Sequence, residues 1–226
     1  MELVVAILII FGFITVAVVF SHFAEKKRTE GLRLQAGRLG LTTFQEEAPA
    51  PLAGFRHLPL FNRGHSKRIR NLMEGAVEGI DVAVLDYRFT VGGGKNSHTY
   101  RQTVCAIRDR RLRLPVFELK PESIWSKLGA LFGYEDIDFE EHPEFSRKYH
   151  LSGVGEAAVR ALFRPEVREA LERREGLSLQ GGGDRFIYFR ASERVEPARI
   201  ENLTRETLET LVLFRPEAEA SKPLAG

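Results

Sequence analysis

Cysteine is almost absent from this chain of 226 residues: Cys105 stands alone, so no intramolecular disulfide can form and the sequence suits a reducing compartment. Its flanks, Thr103-Val104 and Ala106-Ile107, are apolar and carry no base to lower a thiol pKa, so Cys105 reads as a small core residue, not a nucleophile. Charge of one sign is also scarce. With 33 Lys and Arg against 31 Asp and Glu the formal net charge is only +2, short of the strongly basic face that nucleic-acid binding requires. Catalytic and cofactor signatures are missing too. There is no GxSxG and no HExxH, and the six histidines show no HxH or Cys/His spacing. The run Gly92-Gly93-Gly94-Lys95 lacks the leading glycine and the trailing Ser or Thr of a phosphate-binding loop, with Phe89 and Asn96 in those places, and reads as a hairpin tip. No cofactor is implied.

What the sequence does have is one long apolar run. Residues 3–20, LVVAILIIFGFITVAVVF, carry no charge. At about 1.5 Å per residue the run makes roughly 27 Å of helix, close to the ~30 Å hydrocarbon core of a bilayer. A cleaved signal peptide would need a basic n-region and a small-x-small exit, whereas Met1-Glu2 precedes the run and Ser21-His22-Phe23-Ala24 follows it. Residues 3–20 are therefore predicted to be a transmembrane helix. Lys26, Lys27, Arg28, Arg33 and Arg38 all follow it, and such residues resist translocation. The expectation is a single-pass protein of a bacterial inner membrane, N-terminus outside and C-terminal domain cytoplasmic, with those five basic residues near anionic headgroups. A lone Gly12 gives no GxxxG packing motif.

The fold class expected is α+β: an N-terminal transmembrane helix, then a soluble domain with an antiparallel β-sheet and several helices. Residues 21–54 read as a juxtamembrane stalk and linker, because Gly31 and Gly37 weaken a helix and Glu46-Glu47-Ala48-Pro49-Ala50-Pro51 is loop-like. Residues 55–215 form the domain, and 216–226 a disordered tail. Ile80 to Val91 alternates with Ile80, Val82 and Val84 on one face and Ala83, Leu85, Tyr87, Phe89 and Val91 on the other. The Gly-rich tip joins it to a returning strand, Thr99 to Ile107. Leu112 to Leu119 is a third strand, which Pro115 assigns to an edge. Residues 67–77 fit strand and helix equally. Short strands are expected at 137–139 and 148–151, a helix at 121–132, a helical pair at 156–163 and 165–173, a hairpin around Gly181-Gly182-Gly183, and a last helix at 197–214 with Ile200, Leu203, Leu208 and Leu211 on one face.

Two clusters bear on function. In an extended chain Asp136, Asp138 and Glu140 share a face, with His142 beside them, so they are the metal-ligand candidates; a solvated strand edge gives the same alternation. Arg56, Arg63, Lys67, Arg68 and Arg70 make a second basic cluster, suited to lipid contact or simply to a solvated face. Asp86, Tyr87 and His98 fall in neighbouring strands without a positioned nucleophile.

Three segments, Leu85 to Val104, LPVFELKPE from Leu114 to Glu122, and DIDFEEHPEFSRKYHLSG from Asp136 to Gly153, resemble a family of uncharacterised bacterial single-pass membrane proteins. The resemblance spans about residues 30–215. It implies a bacterial inner-membrane setting and supplies no activity or functional residue. The sequence thus points to a membrane-tethered cytoplasmic domain that binds a protein partner or lipid headgroups, with a membrane-anchored hydrolase or metal-dependent enzyme built on 136–142 as the alternative.

Overall fold

The computed structural model describes residues 2–124 and 136–215. A single helix, α1 (Glu2–Arg38), runs without a break from the apolar run into the domain. Its exposed residues include Phe11, Phe13, Val16 and Phe20. An 18-residue window within it has a mean hydropathy of 1.6 and is nowhere buried, so by length and composition the helix can cross a membrane.

Eight strands follow: β1 (Thr43–Ala48), β2 (His65–Val77), β3 (Ile80–Val91), β4 (His98–Arg108), β5 (Leu114–Pro121), β6 (Tyr149–Gly153), β7 (Leu177–Gly183) and β8 (Arg185–Arg190). They form one antiparallel sheet in the order β1-β2-β3-β4-β8-β7-β5-β6. The helices are α2 (Pro59–Asn62), α3 (Pro143–Lys148), α4 (Glu156–Leu162), α5 (Pro165–Glu172) and α6 (Ile200–Val212).

Both sheet faces are covered. On one, Val82, Val84, Cys105, Ile107, Phe186 and Tyr188 pack with residues of α1, α4, α5 and α6, including Leu32, Ala36, Val159, Val167, Ile200 and Leu211. On the other, Leu85, Tyr87, Phe89, Val104 and Ile187 pack with Leu52, Phe55, Leu58 and Phe61 from the segment between β1 and β2. The alternation expected for β3 is the one observed. Each fully buried Leu, Val or Phe contributes about 1.5–3 kcal/mol.

Several local expectations change. Part of the segment 21–54, expected as stalk and linker, lies in the folded unit: Thr29, Leu32, Gln35 and Ala36 of α1 are buried, and β1 pairs with β2. Gly31 is where Pro197 approaches, since a Cβ there would stand 3.1 Å from the proline ring; the glycine serves a helix contact instead of breaking the helix. Residues 67–77 are strand. Pro115 does not mark an edge, because β5 lies between β7 and β6; it sits in a register irregularity between Leu114 and Phe117, before the pairing with β6 begins at Phe117, where no ladder N–H is needed. Residues 137–139 are extended but form no strand: Ile137 N–H donates to Leu151 O, while the side chain of Asp136 accepts the Leu151 N–H at 3.2 Å. Gly181 and Gly182 are not in the turn but in β7, where a Cβ on Gly181 would lie 2.3 Å from the Phe117 ring. Residues 122–124 begin a helical turn; the rest of the helix expected at 121–132 and the tail at 216–226 lie outside the described residues.

Candidate functional site

The polar groups with the most elaborate geometry are those that lock α1 onto the sheet. Asp86 is on the same face of β3 as Val82 and Val84, and Arg28 of α1 meets its carboxylate at both oxygens: Nε donates to Oδ2 at 2.8 Å and Nη2 to Oδ1 at 2.6 Å. Asn71 Nδ2 donates to Oδ2 and Thr103 Oγ1 to Oδ1, each at 2.9 Å. Arg28 also donates to Val195 O, and Thr29 Oγ1 donates to Asn71 Oδ1. Asn71 reaches both partners because β2 bulges there: its register slips between Arg70 and Met73, and Asn71 has φ +51°. Burial pulls the Asp86 carboxyl upward, but the hydrogen bond and charge of Arg28, with Asn71 and Arg194, outweigh it and hold the pKa below the ordinary value.

Next to this lock lies a cavity of about 250 Å³ bounded by Ser21 and Glu25 of α1 and by β1 to β4. Arg68, Arg70, Arg88, Arg101 and Arg194 line it, against the carboxylates Glu25, Glu47 and Asp86. The register places Arg68 directly opposite Arg88, and Arg88 directly opposite Arg101, so three guanidinium side chains form one row across β2, β3 and β4. One rung along, the same strands present Arg70, Asp86 and Thr103. Opposed residues have Cβ atoms about 4.5–5.5 Å apart, and like charges there destabilise. Among the described residues Arg68, Arg88 and Arg101 have no ion-pair partner. The Nε groups of Arg70 and Arg88 are buried without a hydrogen-bond acceptor. Glu25 accepts from Arg194 Nη2 at 2.8 Å and lies 3.9 Å from Arg70; the Arg194 hydrogen bond, against the opposing pull of burial, lowers its pKa.

The residues singled out from sequence disperse. Lys26, Lys27 and Arg38 are exposed on α1, Arg28 is committed to Asp86, and Arg33 pairs with Glu46 while stacking on Phe44. Of the second basic cluster, Arg68 and Arg70 reach the cavity, Arg63 is buried against Glu118, Lys67 donates to Phe61 O, and Arg56 is exposed. Asp136, Asp138, Glu140 and His142 do not converge: Asp136 meets His150 at 3.0 Å, His142 faces Glu172 at 3.7 Å, and Asp138 and Glu140 are exposed. Among the described residues one trio, Glu122, Asp136 and His150, brings possible ligand atoms within 4.8 Å of one another. Lys120 stands close enough to Asp136 to feel its charge. Asp86, Tyr87 and His98 do not meet: Asp86 joins the lock, Tyr87 is in the opposite core, and His98 is exposed against Tyr100.

Arg88, Arg101 and Arg194 are not among the residues that the sequence patterns single out. A signal existed for the first two: a hairpin centred on Gly94-Lys95 places Arg88 against Arg101. Arg68 joins them only because β2 is a strand.

These features define an α+β domain whose antiparallel sheet is locked to one long apolar helix. No family model matches the chain, and no curated protein matches it in sequence. In fold it is similar to the crystal structure of the mycobacterial trehalose monomycolate transport factor A, TtfA. The TM-score is 0.57 at 11% identity, with 83% of this chain and 96% of that chain covered. At that identity the likeness concerns the fold alone.

Proposed function

We propose that this chain is a non-enzymatic, membrane-tethered domain that binds lipid headgroups at the inner face of a bacterial cytoplasmic membrane. The observation that carries the reading is the unbroken α1, which joins the span at 3–20 to the buried Arg28–Asp86 lock with no flexible stalk between them. A tether this rigid fixes the presentation of the sheet: with Phe20 at the edge of the hydrocarbon, Ser21 and Glu25 put the arginine-lined cavity in the headgroup layer. Lys26 and Lys27 stand on the same helical turn, each drawn to anionic lipid by about 1 kcal/mol where it reaches the surface. A fold shared with a trehalose monomycolate transport factor supports a lipid-related role.

Orientation rests on the basic residues that follow the span. Protease added to sealed, right-side-out cells is expected to spare the domain and to digest it once the cells are opened. Digestion in sealed cells would overturn the cytoplasmic placement, and recovery of the full chain in the soluble fraction would overturn the tether.

A further inference from the structure

The row Arg68–Arg88–Arg101 is a feature that tethering leaves unexplained. Three cations placed directly opposite one another repel, with Arg88 half-buried between the exposed Arg68 and Arg101, and an anion seated on the row would relieve that repulsion. The surrounding geometry says what the anion must be like. The cavity of about 250 Å³ is far larger than one water molecule and smaller than a drug-sized ligand needs. Buried Nε donors on Arg70 and Arg88 lack acceptors, and arginine forks match the paired oxygens of phosphate and carboxylate. Arg194 is satisfied by Glu25 and Asp86, which leaves Glu47 as the remaining lining carboxylate against Arg70 and the three cations of the row.

We propose that this cavity is a phosphate site, with Arg88 at its centre flanked by Arg68 and Arg101, and that its occupant is the phosphate monoester of a lipid headgroup entering beside Ser21. The assignment to lipid rests on the membrane-tethered reading; the assignment to phosphate does not. A phosphate monoester supplies three free acceptor oxygens to the forks of the row, which a single carboxylate cannot. Glu25 and Glu47 line the same cavity and repel anions, so the site favours a compact group that reaches the arginines of the row.

The test uses the full chain in uncharged detergent micelles, with inorganic phosphate titrated at constant ionic strength against chloride and the melting temperature as readout. At ten times its dissociation constant phosphate is expected to raise the melting temperature by roughly 3–6 °C. Arg88→Gln is expected to weaken the response by roughly 10- to 100-fold, the worth of charge-assisted hydrogen bonds. In phosphate-free buffer the same variant is expected to melt no lower than the wild type, because removing the middle cation relieves repulsion; this separates loss of the site from loss of the fold. A phosphate response no larger than that of chloride, or an undiminished response in the Arg88→Gln protein, would overturn the site. Repeating the titration in nanodiscs containing phosphatidic acid distinguishes the sources. If lipid fills the cavity, added phosphate produces no further shift. A shift of unchanged midpoint would assign the cavity to a free phosphate compound and overturn the lipid assignment, while leaving the result of the protease experiment as it was.

Discussion

Replacing Asp86 with asparagine keeps the shape of the side chain and removes the charge that Arg28 was folded to meet. Arg28 and Asp86 are only 11% and 9% exposed, so water cannot take the place of the lost carboxylate. Removing one partner of a buried pair leaves an uncompensated charge and costs about 3–5 kcal/mol. Two remaining contacts argue for the lower end: Arg28 keeps the Val195 carbonyl and Arg194 keeps Glu25. About 3 kcal/mol corresponds to a fall of roughly 6–12 °C in melting temperature for a protein of this size. The assay is thermal unfolding of the full chain in detergent, with Asp86→Leu, Arg28→Met and Arg28→Met/Asp86→Leu measured alongside as a double-mutant cycle. The double variant, with no stranded charge, is expected to recover most of the loss. Arg33→Ala serves as the control: its pair with Glu46 is more than half exposed, and its loss is expected to cost less than ~1 kcal/mol. If Asp86→Asn lay within ~1 kcal/mol of the wild type, or if the two substitutions simply added, the lock would not hold α1 to the sheet as described.

Acid should weaken the fold. The carboxyls of Asp86 and Glu118 are both raised by burial yet held lower overall, the first by Arg28 and the second by Arg63 and Lys120. Because their folded pKa values are depressed, the stabilisation is present above the ordinary values of 3.8 and 4.5 and is lost as pH falls through the lower folded ones. Melting temperature is therefore expected to decline below about pH 4, and less steeply in Asp86→Asn; equal slopes would count against Asp86 as a source. Burial pushes the Cys105 thiol up to about 12, so iodoacetamide at pH 8 is expected to label it only in denaturant, and rapid native labelling would contradict its core position. Zinc titration should leave the melting temperature flat, since Asp136 and His150 already engage each other; a saturable rise abolished by His150→Ala would instead favour a metal centre at Glu122, Asp136 and His150.

Much of the secondary structure could be read along the chain because short-range periodicity controls it. The β3–β4 hairpin, the helices at 156–162 and 165–172 and the last helix all follow from apolar spacing and from Gly and Pro punctuation. The apolar run is likewise a local property, as 18 uncharged residues in a row need no tertiary context to be recognised. Composition at 21–54 points away from the folded unit, because exposed-looking charge, glycine and proline say nothing about which side chains a sheet will cover. Arg28 shows why: it reads as one of five basic residues after the span, yet it is the one that meets Asp86, 58 residues away.

The sequence by itself determined that this protein carries one long apolar helix ahead of an antiparallel α+β domain, since an uncharged run and the periods of 2 and 3.6 in the domain are all legible within a few residues. Only the tertiary structure decided where the charges go. Strand register set Arg68, Arg88 and Arg101 in a row, a bulge at Asn71 closed the lock on Arg28, and the acidic residues at 136–142 were sent in separate directions. Each of these depends on pairing between residues distant in the chain, which local patterns do not encode.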